Sequence, residues 1–210
     1  MTTATTITEA LVVIDLQNDF CPGGALPVPD GDAIVPLVNR LLDRAAIRIL
    51  TQDWHPAGHA SFATSHVDKR PGDRAIVGGV EQTLWPVHCV QGTSGASFHA
   101  DLHTDRADLL LRKGSRPDVD SYSAFFENDR ITPSGLDGYL RARGVRGLAI
   151  VGLALDVCVA ASAVDAARLG YTTRVVLPAC RGIDLNGSLA AATGAMRSAG
   201  VLLDAGDALS

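Results

Sequence analysis

The chain has 210 residues, 47% of them hydrophobic and 20% charged, with a formal net charge of −5. That length supports one sizeable core and hardly two, and the composition argues against wholesale disorder. An acidic balance without any Lys/Arg run argues against nucleic acid as a partner, and no apolar run approaches the ~20 residues that span a bilayer.

The opening segment, MTTATTITEA, has neither a positive start nor an apolar stretch, so no export signal is expected. Residues 10–15 (ALVVID) are rich in Val and Ile and read as a buried strand. Residues 32–45 place apolar side chains at helical spacing, and 47–53 (IRILTQD) read as a second strand. The stretch from Trp54 to Ala107 is weakly periodic and rich in Gly, Pro and His, and a loop that long in a compact domain is usually functional. Residues 108–114 (DLLLRKG) read as a third strand. Residues 131–144 read as a helix with a Thr-Pro start and a Gly stop. Then come a strand over 147–154, an Ala-rich helix over 157–170 stopped by Gly170, a strand over 172–178, a helix over 188–200 and a short strand over 201–205. The alternation predicts a three-layer α/β/α sandwich around a mostly parallel six-stranded sheet. Right-handed crossovers put all strand C-termini along one edge, where such sheets bind ligands.

Four of the predicted strands end in or near reactive residues: Asp15, Asp53 with His55, Lys113, and Cys158. A lone Asp after a strand is more often a cap, and a lone Cys in an Ala-rich helix is more often packing. Four strand ends on one edge are harder to dismiss, because together they hold a nucleophile, a proton acceptor and a cation. At a helix N-terminus beside a Lys, Cys158 is expected to be biased toward thiolate, a carboxylate can carry its proton, and backbone N–H groups can bind an oxyanion. Cys21, Cys89 and Cys180 read as reduced packing thiols of a cytoplasmic protein. Asp53 and His55, two apart on a strand end, point the same way and with a distant His could chelate a divalent metal, although surface loops also collect histidines.

In order along the chain, LVVIDLQNDFCPGGALPV, TQDWHPAGHASF, WPVHCVQGT, LRKGSRPDVDSYSAF and VGLALDVCVAASAVDA resemble the successive signatures of nicotinamidases, within the isochorismatase-like cysteine hydrolases. The resemblance runs from about residue 10 to residue 205 and implies one hydrolase domain over 1–210, with a loop-rich metal-site insertion at about 54–107. It implies hydrolysis of nicotinamide, and of pyrazinamide, with another small amide such as a carbamoyl amide as the alternative. By resemblance, Asp15 is the acid/base, Lys113 the triad lysine and Cys158 the nucleophile. Ala154, after a cis bond from Leu153, shares the oxyanion hole with Cys158. Asp53, His55 and His88 are metal ligands, with Ser61 at a variable fourth contact. Phe20, Trp85 and Tyr122 line the pocket. The implied cofactor is one divalent ion, zinc ahead of manganese or iron; the partner is the small-molecule substrate, with homo-oligomerisation left open. The family's wording before the nucleophile is Thr-Asp-Tyr-Cys-Val or close to it; here Leu155 and Val157 replace its Thr and Tyr, which bears on substrate preference rather than on the chemistry.

Overall fold

A computed structural model describes residues 8–206. Its main sheet has six strands in the order β5-β2-β1-β6-β7-β8, every pair parallel. These are β1 (Glu9–Ile14), β2 (Arg48–Asp53), β5 (Leu109–Lys113), β6 (Gly147–Gly152), β7 (Thr172–Cys180) and β8 (Leu202–Asp204). The central strands β1 and β6 are apolar nearly throughout and buried from Ala10 to Ile14 and from Gly147 to Gly152, as strands covered on both faces must be. At the edge, β5 alternates and leaves Leu110 half exposed.

Helix α1 (Val35–Arg44) buries Val38, Leu41 and Leu42 on one stripe and carries Pro36 in its first turn, where a missing N–H costs nothing. The chain steps one way across the sheet through α1, and back through α3 (Ala160–Arg168) and α4 (Ser188–Ser198). Right-handed crossovers therefore set α1 on one face and the packed pair α3 and α4 on the other.

Three boundaries differ from the sequence reading. Helix α2 begins at Leu136, not near residue 131. The Asp129 carboxylate accepts the N–H groups of Ile131 and Thr132 in a turn, and Gly135 at φ 94° breaks the chain before the helix. The Ala-rich helix begins at Ala160 and is preceded by a π-helical turn over Leu155–Val159 that holds Cys158. Strand β7 continues past Pro178 to Cys180, because its register against β6 shifts there and the proline sits in the irregularity. The long stretch after β2 also contains an antiparallel hairpin, β3 (Arg74–Val77) with β4 (Val80–Thr83). Gly78 and Gly79 both have positive φ at its turn, as a two-residue hairpin favours.

One glycine is fixed by the sheet itself. Gly152, at φ 116°, pairs with Ile14, and a Cβ there would collide with the Ile14 carbonyl oxygen in the neighbouring strand. Gly152→Ala should lower stability by at least about 2 kcal/mol and the thermal midpoint by ~5 °C or more. Gly138→Ala, in the open middle of α2, should leave the midpoint unchanged or raise it in the same melting experiment.

Candidate active site

The strand order decides which side chains meet. β5, β2, β1 and β6 are adjacent, and in register Asp53 pairs with Lys113 and Ile14 with Gly152. Their C-terminal ends therefore bring Lys113, Asp53, Asp15 and the turn bearing Cys158 to one point. Lys113 Nζ lies 2.8 Å from Asp15 Oδ2, 2.7 Å from Asp53 Oδ1, 2.9 Å from Ser121 O and 3.5 Å from Cys158 Sγ. All four of Asp15, Asp53, Lys113 and Cys158 are buried.

Burial works against the Lys113 charge, but Asp15 and Asp53 outweigh it and hold the ammonium well above its ordinary pKa. The two carboxylates are driven apart. Burial raises both, yet for Asp53 the cations Lys113 and His55 reverse the effect and hold it well below the usual range. For Asp15, burial prevails over Lys113, and its pKa is raised. Asp15 Oδ1 accepts the Thr51 hydroxyl at 2.6 Å. Oδ2 has no aligned hydrogen-bond donor among the described residues, although Lys113 is close. A carboxylate with raised proton affinity and the thiol thus share the Lys113 ammonium as a neighbour.

Cys158 departs from the sequence expectation. Burial pushes its thiol well above the ordinary value; Lys113 lowers it, and Asp15 and Asp53 raise it again. The ammonium favours the thiolate, but burial together with the two carboxylates outweighs it and favours the thiol form of Cys158. The Leu153–Ala154 peptide bond is cis, as the resemblance implies. No backbone acceptor among the described residues takes the Ala154 N–H.

Asp53, His55 and His88 form a donor set for a divalent metal, their ligand atoms lying within 4.8 Å of one another. His55 Nδ1 is 2.8 Å from Gly114 O and His88 Nδ1 is 2.8 Å from Pro86 O. Each carbonyl draws the ring proton to Nδ1 and leaves Nε2 toward Asp53 Oδ2, at 3.2 Å for His55 and 3.7 Å for His88. The His55 contact with Gly114 requires that glycine, since a Cβ there would come 2.5 Å from His55 Cε1. Burial opposes a charge on His55, but Asp53 raises its pKa to about 9, so the spot calls for positive charge, which a metal ion would supply in place of a proton. Ser61 is buried, and its hydroxyl is 2.7 Å from His59 Nδ1; His59 Nε2 is 3.2 Å from Val119 O. His59 and Asp120 also form a second buried group with His55.

A narrow cavity opens onto Cys158 between Phe20, Trp85 and Tyr122, the three aromatic residues named from the sequence. Trp85 Nε1 donates to Tyr122 Oη at 2.9 Å. Asp53, His88 and Ala154 also line it, as does Val157, whose departure from the family's wording was tied to substrate preference; Leu26, Asp120 and Ile183 were missed, since nothing in their spacing marks them. Gln17 was missed as well. It accepts the Asp53 N–H and donates to Asp53 O and Ala96 O, tying the ends of β1 and β2 to the long loop. Asp19 holds the metal-site loop by accepting the Cys89 N–H at 2.7 Å. Both lie in the segment 15–20 that already carries Asp15 and Phe20, which was the available signal.

Residues 9–207 match the isochorismatase domain family. A nicotinamidase of Acinetobacter baylyi is 47% identical over 192 residues, which cover 91% of this chain and 90% of the relative. A solved nicotinamidase–pyrazinamidase from Acinetobacter baumanii superposes with a TM-score of 0.92 at 48% identity, covering 95% of this chain and 97% of that one. A pyrazinamidase of Pyrococcus horikoshii, solved in complex with zinc, superposes with a TM-score of 0.75 at 38% identity, covering 93% and 98%. The fold, the convergent strand ends and these similarities agree: the chain belongs to the isochorismatase-domain family, alongside its nicotinamidases.

Proposed function

We propose that this chain is an amide hydrolase that converts nicotinamide to nicotinic acid and ammonia in nicotinamide salvage, and that it also hydrolyses pyrazinamide. The observation that carries this reading is the meeting of Asp15, Lys113 and Cys158 under a narrow aromatic cavity. The whole chain acts as one hydrolase domain, with 54–107 supplying His55, Ser61, Trp85 and His88. No helix among the described residues is long and apolar enough to cross a membrane, and four free, buried cysteines support a cytoplasmic setting.

In the proposed mechanism Asp15 Oδ2 takes the proton of the Cys158 thiol, and Lys113 holds the two groups in line while balancing their charge. The sulfur attacks the carboxamide carbon, and the N–H groups of Ala154 and Cys158 receive the developing oxyanion, a type of contact worth ~3–4 kcal/mol per donor. Asp15 passes its proton to the amide nitrogen, the C–N bond breaks, and ammonia leaves a thioester on Cys158. Asp15 then takes a proton from water as the water oxygen attacks the thioester, and returns it to the sulfur as nicotinic acid departs. Phe20, Trp85 and Tyr122 hold the flat ring. Asp53, His55 and His88 would hold a divalent ion, zinc first, with manganese or iron as alternatives, and Ser61, whose hydroxyl meets His59, is the candidate for a variable fourth contact. Bound there, the ion supplies a Lewis acid for the ring nitrogen and so fixes the ring's orientation.

Lys113→Met should abolish turnover and cost about 3–5 kcal/mol of stability, because it strands two buried carboxylates. The cost depends on pH. Without the ammonium Asp15, already raised by burial, loses the cation that lowers it and sits further above its unfolded pKa, so the variant keeps its stability below the unfolded pKa and loses it as pH rises. Denaturant melts of metal-free protein should therefore find variant and wild type closer near pH 4 than near pH 8.

A chelator should remove activity that zinc, manganese or iron(II) restores, and elemental analysis should find about one divalent ion per chain, as one three-ligand site predicts. Asp53→Ala and His88→Ala should lose that ion; a fully active metal-free protein would refute the assignment.

The substrate reading is tested by ammonia release from four amides at equal concentration. Nicotinamide and pyrazinamide, with a ring nitrogen meta to the carboxamide, should turn over well. Benzamide, which lacks the nitrogen, and picolinamide, whose nitrogen is ortho, should react poorly. Cys158→Ala should release no ammonia from any of them while Cys21→Ala and Cys180→Ala stay active. Benzamide matching nicotinamide would show that the ring nitrogen does not orient the substrate.

A further inference from the structure

Asp156, two residues before Cys158, takes no part in the chemistry above, yet its carboxylate is fully engaged. Oδ1 accepts the Ile183 N–H at 2.9 Å, and Oδ2 accepts the Asp184 N–H at 2.9 Å and the Ser188 hydroxyl. The donors come from one segment, 181–188, which links β7 to α4. The segment is also tied to the π-helical turn by the Leu155 N–H, which donates to Arg181 O at 2.7 Å. Between these contacts Asp184, Asn186 and Gly187 all have positive φ, so the path is irregular and the N–H groups of Ile183 and Asp184 depend on Asp156 rather than on a ladder. Gly182 is pressed against the same carboxylate: a Cβ there would lie 2.9 Å from Asp156 Oδ1 and 2.5 Å from Leu189 Cδ2.

Ile183 stands at a boundary. It lines the narrow cavity over Cys158 and also a wider groove between α3, α4 and the β3–β4 hairpin. It shares that boundary with Trp85, Tyr122 and Val157, which also line both spaces, and it is the one of the four that comes from segment 181–188. We infer that Asp156 is a positioning residue for the substrate pocket, its carboxylate pinning segment 181–188 so that Ile183 walls the catalytic cavity off from the outer groove. A carboxylate suits this better than an amide. Three donors converge on two acceptor oxygens, whereas an amide offers one acceptor and would turn its NH2 toward a donor.

The kinetic part of the test rests on the hydrolase reading; the second part does not. Asp156→Ala, Ile183→Ala and the double variant are compared with wild type as metal-loaded enzymes. Each single change should raise KM for nicotinamide about tenfold, the scale of losing charge-assisted hydrogen bonds, with kcat within about threefold. The double variant should be no worse than the worse single one, because Asp156 acts through Ile183. A merely structural Asp156 would lower the melting temperature and kcat, leave KM unchanged, and show no coupling to Ile183; that result, or additive effects, overturns the proposal. In parallel, alkylation of Cys158 by iodoacetamide, followed by peptide mass spectrometry, should accelerate at least about fivefold in the singles and no further in the double, as access to a sheltered thiol widens. If Asp156→Ala does not fold, Asp156→Asn and Gly182→Ala displace the segment more gently and should shift KM and alkylation in the same direction; unchanged values in both overturn the proposal. If wild type does not hydrolyse nicotinamide, the hydrolase reading fails while the alkylation arm still decides the role of Asp156.

Discussion

The buried ammonium of Lys113 is the constraint around which the rest is arranged. A cation inside a protein needs opposite charge at contact distance, and here Asp15 and Asp53 both supply it, at 2.8 and 2.7 Å. Two carboxylates and one ammonium leave a net negative charge, and the partition of that excess sets the roles. Asp53 turns its second oxygen to His55 and His88, and Lys113 and His55 hold its pKa well below the usual range. Asp15 has only Thr51 and Lys113, and burial raises its proton affinity. Two side chains of one chemical type are thus pushed to opposite proton affinities by their surroundings alone, the division that the proposed roles of metal ligand and base require. Burial, with the same two carboxylates, pushes the Cys158 thiol up as well.

Such a cluster holds only if its backbone is rigid, and the supports are polar groups that carry no chemistry. Gln17 spans the ends of β1 and β2 with a reciprocal pair of bonds to Asp53. Thr51 both accepts the Asp15 N–H and donates to its carboxylate. Around the pocket a chain of hydrogen bonds runs from Trp85 to Tyr122, from the Tyr122 N–H to Asn128, and from Asn128 to Gln82, which also holds Asp120. Gln82 belongs to β4, so the small hairpin braces the aromatic walls. On the other flank Asp156 does the equivalent for segment 181–188. The pocket is a seam between elements remote in sequence, each side held by its own polar clasp.

Much of this was legible in the chain. Apolar runs rich in β-branched residues marked β1, β2 and β6, because strands buried on both faces cannot afford polar alternation. Asp15, Asp53, Lys113 and Cys158 stood out because each follows or ends such a run, and the ordered motifs supplied His88, Phe20, Trp85 and Tyr122. Local conformation was less legible. The hairpin over Arg74–Thr83 hides in a stretch with little periodicity, although Gly78-Gly79 is a turn signal, and the late start of α2 follows from a side-chain turn at Asp129.

What the sequence determined by itself was the inventory: the strand-forming runs, the reactive residues at their ends and the family to which they belong, all written in short stretches of chain. Only the tertiary structure decided who meets whom. The strand order β5-β2-β1-β6 places residues up to 143 positions apart side by side, since Asp15 and Cys158 share Lys113 as a neighbour. Proton affinities followed from that meeting, because burial and neighbouring charge are properties of the packed site. The bias of Cys158 toward thiolate, expected from a helix end and a lysine, was reversed for that reason. Gln17 and Asp156 lay inside recognised motifs but had no role assigned, and Asp120 and Ile183 were not singled out, because their contacts are long-range and no local pattern encodes them.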